Sequence, residues 1–184
     1  MTAGHLRRMG ALGAIAALGV TGLVSTGARA ESGDADRAES STITMEAKGK
    51  ELFFEGPRSI DRGNELEIVN DTDTKQIGPH TFSLIEKDLY PELSKEAIKA
   101  CFKKGVCLRI AKAHKVDFKT EEIGRTVARV GKEGWDTSFG RRGDSWFSLE
   151  KDESFSQKVS AKAGSTLYYF CAIHPEMQGK IKVR

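Results

Sequence analysis

The sequence predicts an all-β protein, a Greek-key β-sandwich of antiparallel strands interrupted by a helical insertion over residues 86–146. Three observations carry this expectation. Short runs with period-two alternation lie at both ends of the chain, turn residues separate them, and the middle changes to helical apolar spacing. Two strand blocks around one helical block argue for a sandwich with an insertion, because a parallel sheet would alternate β and α units along the chain.

The first strand block begins with Thr42 to Ala47 and Leu52 to Phe54. Glu65 to Asn70 follows, with Leu66 and Ile68 alternating against Glu65 and Glu67, and then His80 to Ile85. Gly56-Pro57, Arg62-Gly63-Asn64 and Asn70-Asp71-Thr72-Asp73 supply the turns between them. After Ile85, Pro91-Glu92-Leu93-Ser94 forms a helix entry with Ser94 as N-cap, and Leu93, Ala97 and Cys101 share one stripe. Two further helices are expected, Val106 to His114 and Thr120 to Val130, the latter on the spacing of Ile123, Val127 and Val130. Gly131, Gly134, Gly140 and Gly143 mark an irregular approach to Trp146, and both Trp135 and Trp146 are expected to close the insertion onto the sandwich. Strands then resume as Phe147 to Leu149, Ser154 to Val159, Leu167 to Cys171 and Gly179 to Val183.

Residues 1–30 differ from everything after them. Arg7 and Arg8 precede an acid-free apolar run from Met9 to Val24, which closes at Ala28-Arg29-Ala30. That run is too short and glycine-rich for a membrane span and reads as a signal peptide cleaved near Ala30, so an exported chain, periplasmic or extracellular, is expected. Residues 31–41 have no apolar period and read as a flexible leader, leaving residues 42–184 as one domain with no transmembrane segment. The signal carries Arg7, Arg8 and Arg29 and no acid, so the formal charge of +3 falls to zero once it is removed. That balance argues against a nucleic-acid partner.

The stretch that carries chemistry is Tyr168-Tyr169-Phe170-Cys171-Ala172-Ile173-His174-Pro175-Glu176-Met177-Gln178-Gly179. It places a thiolate, an imidazole and a thioether close together between two strands. Thiolate with imidazole alone suits zinc, but the added thioether belongs to copper, which accepts a trigonal His, His, Cys plane with a long axial Met. The second imidazole is His80, in Gly78-Pro79-His80-Thr81-Phe82, where a histidine entering an early strand can lie across the sandwich from a C-terminal loop.

This tail resembles the Cys-x-x-His-x-x-Met ligand loop of cupredoxins, and His80 matches their N-terminal histidine ligand. The loop is most like that of amicyanin, which is equally short and also has proline after its histidine. The resemblance covers residues 42–85 and 147–184. It implies a cupredoxin-like sandwich holding one Cu(I)/Cu(II) ion on His80, Cys171, His174 and Met177, with the edge of His174 as the port for electrons. Two residues depart from the pattern. Thr81 stands where asparagine is common, which puts the hydrogen bonds of the ligand loop in question, and Glu176 places a carboxylate beside the expected port.

The remaining cysteines, Cys101 and Cys107, read as a disulfide in an exported protein, with Gly105 allowing the reversal between them. Lys95 to Lys115 carries a strong basic excess, which is either a solvated helical face or a dock for an acidic redox partner. Arg142-Gly143-Asp144 spells an adhesion tripeptide but is ordinary turn chemistry. The expected function is one-electron transfer between redox partner proteins by a monomer that is not an enzyme. A copper oxidase or reductase needs further histidines for a second copper, and beyond His80 and His174 the exported chain has only His114. Copper storage or delivery, and service as the electron-donating subunit of a larger copper oxidoreductase, are the alternatives. Storage is disfavoured because only Met45 and Met177 follow the signal.

Overall fold

A computed structural model describes residues 41–128, 134–136 and 144–184, so the expected signal, the expected leader apart from Ser41, which opens the first strand, and Arg142-Gly143 lie outside the described residues. In chain order the elements are β1 (Ser41–Lys48), β2 (Glu51–Glu55), β3 (Ser59–Ile60), β4 (Glu65–Asn70), α1 (Thr74–Ile77), β5 (His80–Ile85), α2 (Lys95–Lys103), α3 (Val106–Ala113), β6 (Val127–Ala128), β7 (Ser145–Ser148), β8 (Ser154–Lys158), β9 (Thr166–Phe170) and β10 (Gln178–Val183). One sheet runs β2-β1-β4-β8 and the other β3-β10-β9-β5-β7-β6. No helix among the described residues is long and apolar enough to cross a membrane.

Alternation along the strands builds the interior. Ile43 and Met45 of β1 and Leu66 and Ile68 of β4 meet Phe82 and Leu84 of β5, Leu167 and Tyr169 of β9, and Ile181 and Val183 of β10. Each such fully buried aliphatic side chain contributes about 1.5–3 kcal/mol of transfer free energy. Trp135 and Trp146 both join this core, and Trp135 donates its ring N–H to the Leu66 carbonyl at 3.1 Å. The tryptophans therefore close the insertion onto the sandwich as expected.

The opposite face of the second sheet carries a smaller core. Ile85 and Phe170 pack there against Cys101, Val106, Cys107 and Ile110 of the helical pair. Ser94 caps α2 by accepting from the Ala97 N–H at 3.1 Å. Cys101 and Cys107 form the expected disulfide. Gly105 is required between them, because a Cβ there would stand 2.6 Å from the Cα of Cys101.

The sequence expectations need three corrections. The sandwich is not wholly antiparallel: β1 pairs with β4, and β3 with β10, in parallel. The helical part of the insertion is shorter than residues 86–146, its two longer helices ending at Ala113. The helix expected over 120–130 is absent among its described residues. Lys115 and Glu121 adopt positive φ of 56° and 61°, Val116 bridges Ile123, and Val127 pairs with Trp146 in β6. The edge of β7 takes up Val127, whereas Ile123 bridges Val116, and these pairings satisfy backbone groups that a surface helix would have satisfied internally.

Candidate metal centre

The site forms where β9 leaves its sheet. Leu167, Tyr169 and Cys171 face the sandwich core, while Tyr168, Phe170 and Ala172 face the helices. Regular pairing stops at Phe170, and Cys171 begins a tight loop. Its N–H donates to the Met177 carbonyl at 3.0 Å, and the Met177 N–H donates to the His174 carbonyl at 2.9 Å. These two bonds fold the loop back on itself, with Cys171, His174 and Met177 all within it. His80 reaches it from the start of β5, held by pairing with Ser148.

Three of the four expected ligand residues converge directly. Cys171 Sγ lies 3.8 Å from His80 Nδ1 and 3.8 Å from His174 Nδ1, and the two Nδ1 atoms are 3.3 Å apart. A point equidistant from the corners of that triangle is about 2.1 Å from each, which is bond length for a first-row metal ion to imidazole nitrogen and close to that for thiolate sulfur. Met177 is fully buried in the same core cluster as Cys171. The donor set fits one copper ion: soft thiolate and thioether with two imidazoles, in a rigid β-scaffold.

The electrostatics suit neutral imidazoles and a protected sulfur. Burial, then the His174 ring beside it, lowers the pKa of His80 from 6.5 to about 4. Burial also lowers His174, against the raising influence of Glu176 and of a hydrogen bond to the Ile77 backbone. Burial pushes the Cys171 thiol up, partly offset by the N–H groups of Thr81 and His174, each 3.3 Å from the sulfur. His80 Nε2 is buried with no hydrogen-bond partner. Its proton belongs there all the same, since Nδ1 is the nitrogen aimed at the sulfur and must keep its lone pair to act as a donor.

Thr81 answers the question raised by its departure from the cupredoxin pattern. Its Oγ1 accepts the Ala172 N–H at 2.7 Å while its own N–H donates to Cys171, so a short hydroxyl side chain tethers the loop from β5. Gln178 adds a second tether, donating to the Pro175 and Pro91 carbonyls at 2.8 Å each. Glu176 is exposed beside the half-buried His174. His114 is not part of the cluster; it lies buried against Phe147, bonded to the Arg125 carbonyl and to Ser145. Sequence reasoning missed the polar neighbours of the site, Ser83, Ser145 and Gln178. The available signal was the pair of hydroxyls two residues apart, Thr81 and Ser83, in an otherwise apolar strand, which must share one face.

No protein-family model matches the chain, and no curated protein matches it. Among solved structures it is similar to auracyanin of Roseiflexus castenholzii, at 12% identity and TM-score 0.41 over 79% of this chain and 96% of that one. It is also similar to auracyanin A, a "blue" copper protein of Chloroflexus aurantiacus, at 19% identity and TM-score 0.40 over 79% and 100% of the two chains. A purple cupredoxin of Nitrosopumilus maritimus gives 14% identity and TM-score 0.39 over 78% and 98%. Such low scores leave the assignment to the sheets and donors of this chain. Two packed sheets form the β-sandwich that the resemblance implied, and His80 from β5 meets Cys171 and His174, with Met177 buried in the same core as Cys171, in a set of side chains that fits a type 1 copper site.

Proposed function

We propose that the protein is an exported mononuclear blue copper protein that carries single electrons between redox partners and makes no bonds of its own. The single observation that carries this reading is the triangle of Cys171 Sγ, His80 Nδ1 and His174 Nδ1, sized for one ion. Bound copper supplies reversible one-electron exchange. His80, His174, Cys171 and Met177 are the side chains that would hold it, through two imidazoles, a thiolate and a thioether.

The remaining work belongs to the chain. Two backbone N–H groups on the sulfur reduce its donation and help set the potential. The backbone-closed loop and its tethers from Thr81 and Gln178 resist rearrangement between oxidation states, which keeps the cost of electron transfer low. His174, the half-buried ligand, is the port. Lys95, Lys99, Lys103 and Lys104 are exposed on and after α2, and Gln178 ties Pro91, just before that helix, to the ligand loop. This arrangement favours an acidic partner docking beside the port, with salt-dependent association.

The test is spectroscopic. The chain from residue 31 onward, loaded with Cu(II), should show an intense thiolate-to-copper band with narrow hyperfine splitting in electron paramagnetic resonance. The band should bleach reversibly on reduction and vanish in Cys171→Ala. It should survive in His114→Ala; a colourless wild type, or a band indifferent to Cys171, would sink the reading. Fast electron self-exchange with slow copper loss would separate carriage from storage or delivery.

A further inference from the structure

Behind the ligand loop runs a chain of hydrogen bonds that ends in the insertion. Ala172 N–H donates to Thr81 Oγ1 at 2.7 Å, Ser83 Oγ donates to Thr81 Oγ1 at 3.0 Å, and Ser83 Oγ lies 2.7 Å from Ser145 Oγ. Ser145 Oγ in turn lies 2.8 Å from His114 Nε2, and His114 Nδ1 lies 2.9 Å from the Arg125 carbonyl. Thr81, Ser83, Ser145 and His114 are all buried, the least so at 3% exposure. We infer that His114 is a positioning residue for the ligand loop, acting through Ser145, Ser83 and Thr81 on the backbone beside Cys171.

Register makes the chain continuous. Thr81 and Ser83 sit two apart on β5 and so share a face, and Ser83 pairs directly with Ser145 on β7. That face is the one covered by the insertion, so no bulk water intervenes to decouple the links. His114 closes α3 as its C-terminal cap residue and is held in place by Phe147, at a ring separation of 5.2 Å.

Hydrogen counting shows how the effect travels. A carbonyl only accepts, so His114 Nδ1 carries the hydrogen facing Arg125. The neutral ring then presents Nε2 as an acceptor and takes the one hydrogen of Ser145. Ser83 also has one hydrogen, and two oxygens compete for it: Ser145 Oγ and Thr81 Oγ1. By occupying Ser145, the histidine draws on the hydrogen that Ser83 offers to Thr81, and Thr81 is the group that holds the Ala172 N–H and acts on the Cys171 sulfur. A group five side chains from the metal thus biases the backbone of the loop. Any tuning of copper by this route rests on the copper reading above, but the coupling belongs to the polypeptide.

The deciding experiment is a double-mutant cycle on the full chain. Amide hydrogen exchange at Ala172 is followed by NMR in the metal-free protein, and the reduction potential is measured in the copper-loaded one. His114→Asn and Ser83→Ala should each change Ala172 exchange at least threefold. The double variant should go no further than Ser83→Ala alone, and Ser83→Thr should restore the wild-type rate. Potentials should follow the same non-additive pattern. Unchanged exchange at Ala172 in His114→Asn, or effects that multiply in the double variant, would overturn the inference. Should His114→Asn not fold, Ser145→Ala cuts the same link and is scored by the same rule. A chain that takes no copper would defeat the proposed function while the metal-free exchange data still decide the relay.

Discussion

Cys171 stands under opposed demands. Burial favours its neutral thiol, whereas a metal ligand must be the thiolate. His80 and His174 have no such conflict, since burial keeps both rings neutral and ready to donate. Copper uptake near pH 7 should therefore release about one proton per ion, all of it from the thiol. Calorimetry in buffers of different ionisation heat measures this, and zero release would mean that Cys171 is not the ligand. The same burial sets a pH dependence on the metal-free protein. His80 has a folded pKa of about 4 against 6.5 unfolded, so below pH 6.5 the unfolded chain binds a proton that the folded chain refuses. Stability is full above that pH and falls as pH drops toward 4, by about 3 kcal/mol from this group. The lowered pKa of buried His114 acts in the same direction. Urea midpoints of the metal-free protein at several pH values between 7 and 4 should decline; a flat profile would contradict neutral burial of these rings.

At the scale of elements, the helical pair is a separately stapled unit. The Cys101–Cys107 bridge closes a short loop, which by loop-closure entropy restricts the unfolded chain by about 2 kcal/mol. Replacing both cysteines with alanine should lower unfolding free energy by about that amount while leaving the visible copper band in place, since the loop keeps its tethers from Thr81 and Gln178 without the bridge. A lost band would show that the helices are part of the site's scaffold. Elements with an unbroken local signal were readable: β4 and β5 run over the expected residues, and Ser94 caps α2 as expected. The segment over 120–128 was misread because Val127 pairs with β7 and Ile123 bridges Val116. Periodicity cannot distinguish a helical stripe from apolar residues recruited singly by a sheet edge.

For the whole molecule, the donors come from opposite ends of the domain, His80 on β5 and the rest in the loop between β9 and β10. Metal binding therefore links the first strand block to the last, and it favours only the folded state. At a thousandfold excess over its dissociation constant, copper adds about 4 kcal/mol, which raises the melting temperature by on the order of 10 °C for a domain of this size. Scanning calorimetry with and without copper reads this directly; equal midpoints would show that the ion does not join β5 to the ligand loop.

The sequence by itself determined the donor chemistry and its spacing. Cys171, His174 and Met177 lie within one loop whose backbone bonds are short-range, and thiolate, thioether and imidazole together select copper by their softness. It also determined the strand alternation that puts Cys171 toward the core. Only the tertiary structure decided that His80 closes the triangle, that Thr81 tethers the loop, and that His114 reaches it through Ser145 and Ser83. Those contacts depend on the registers of β5 with β7 and β9. Alternation along each strand sets which face a residue takes, but which residue it meets on a strand distant in sequence follows from how the two cores fill.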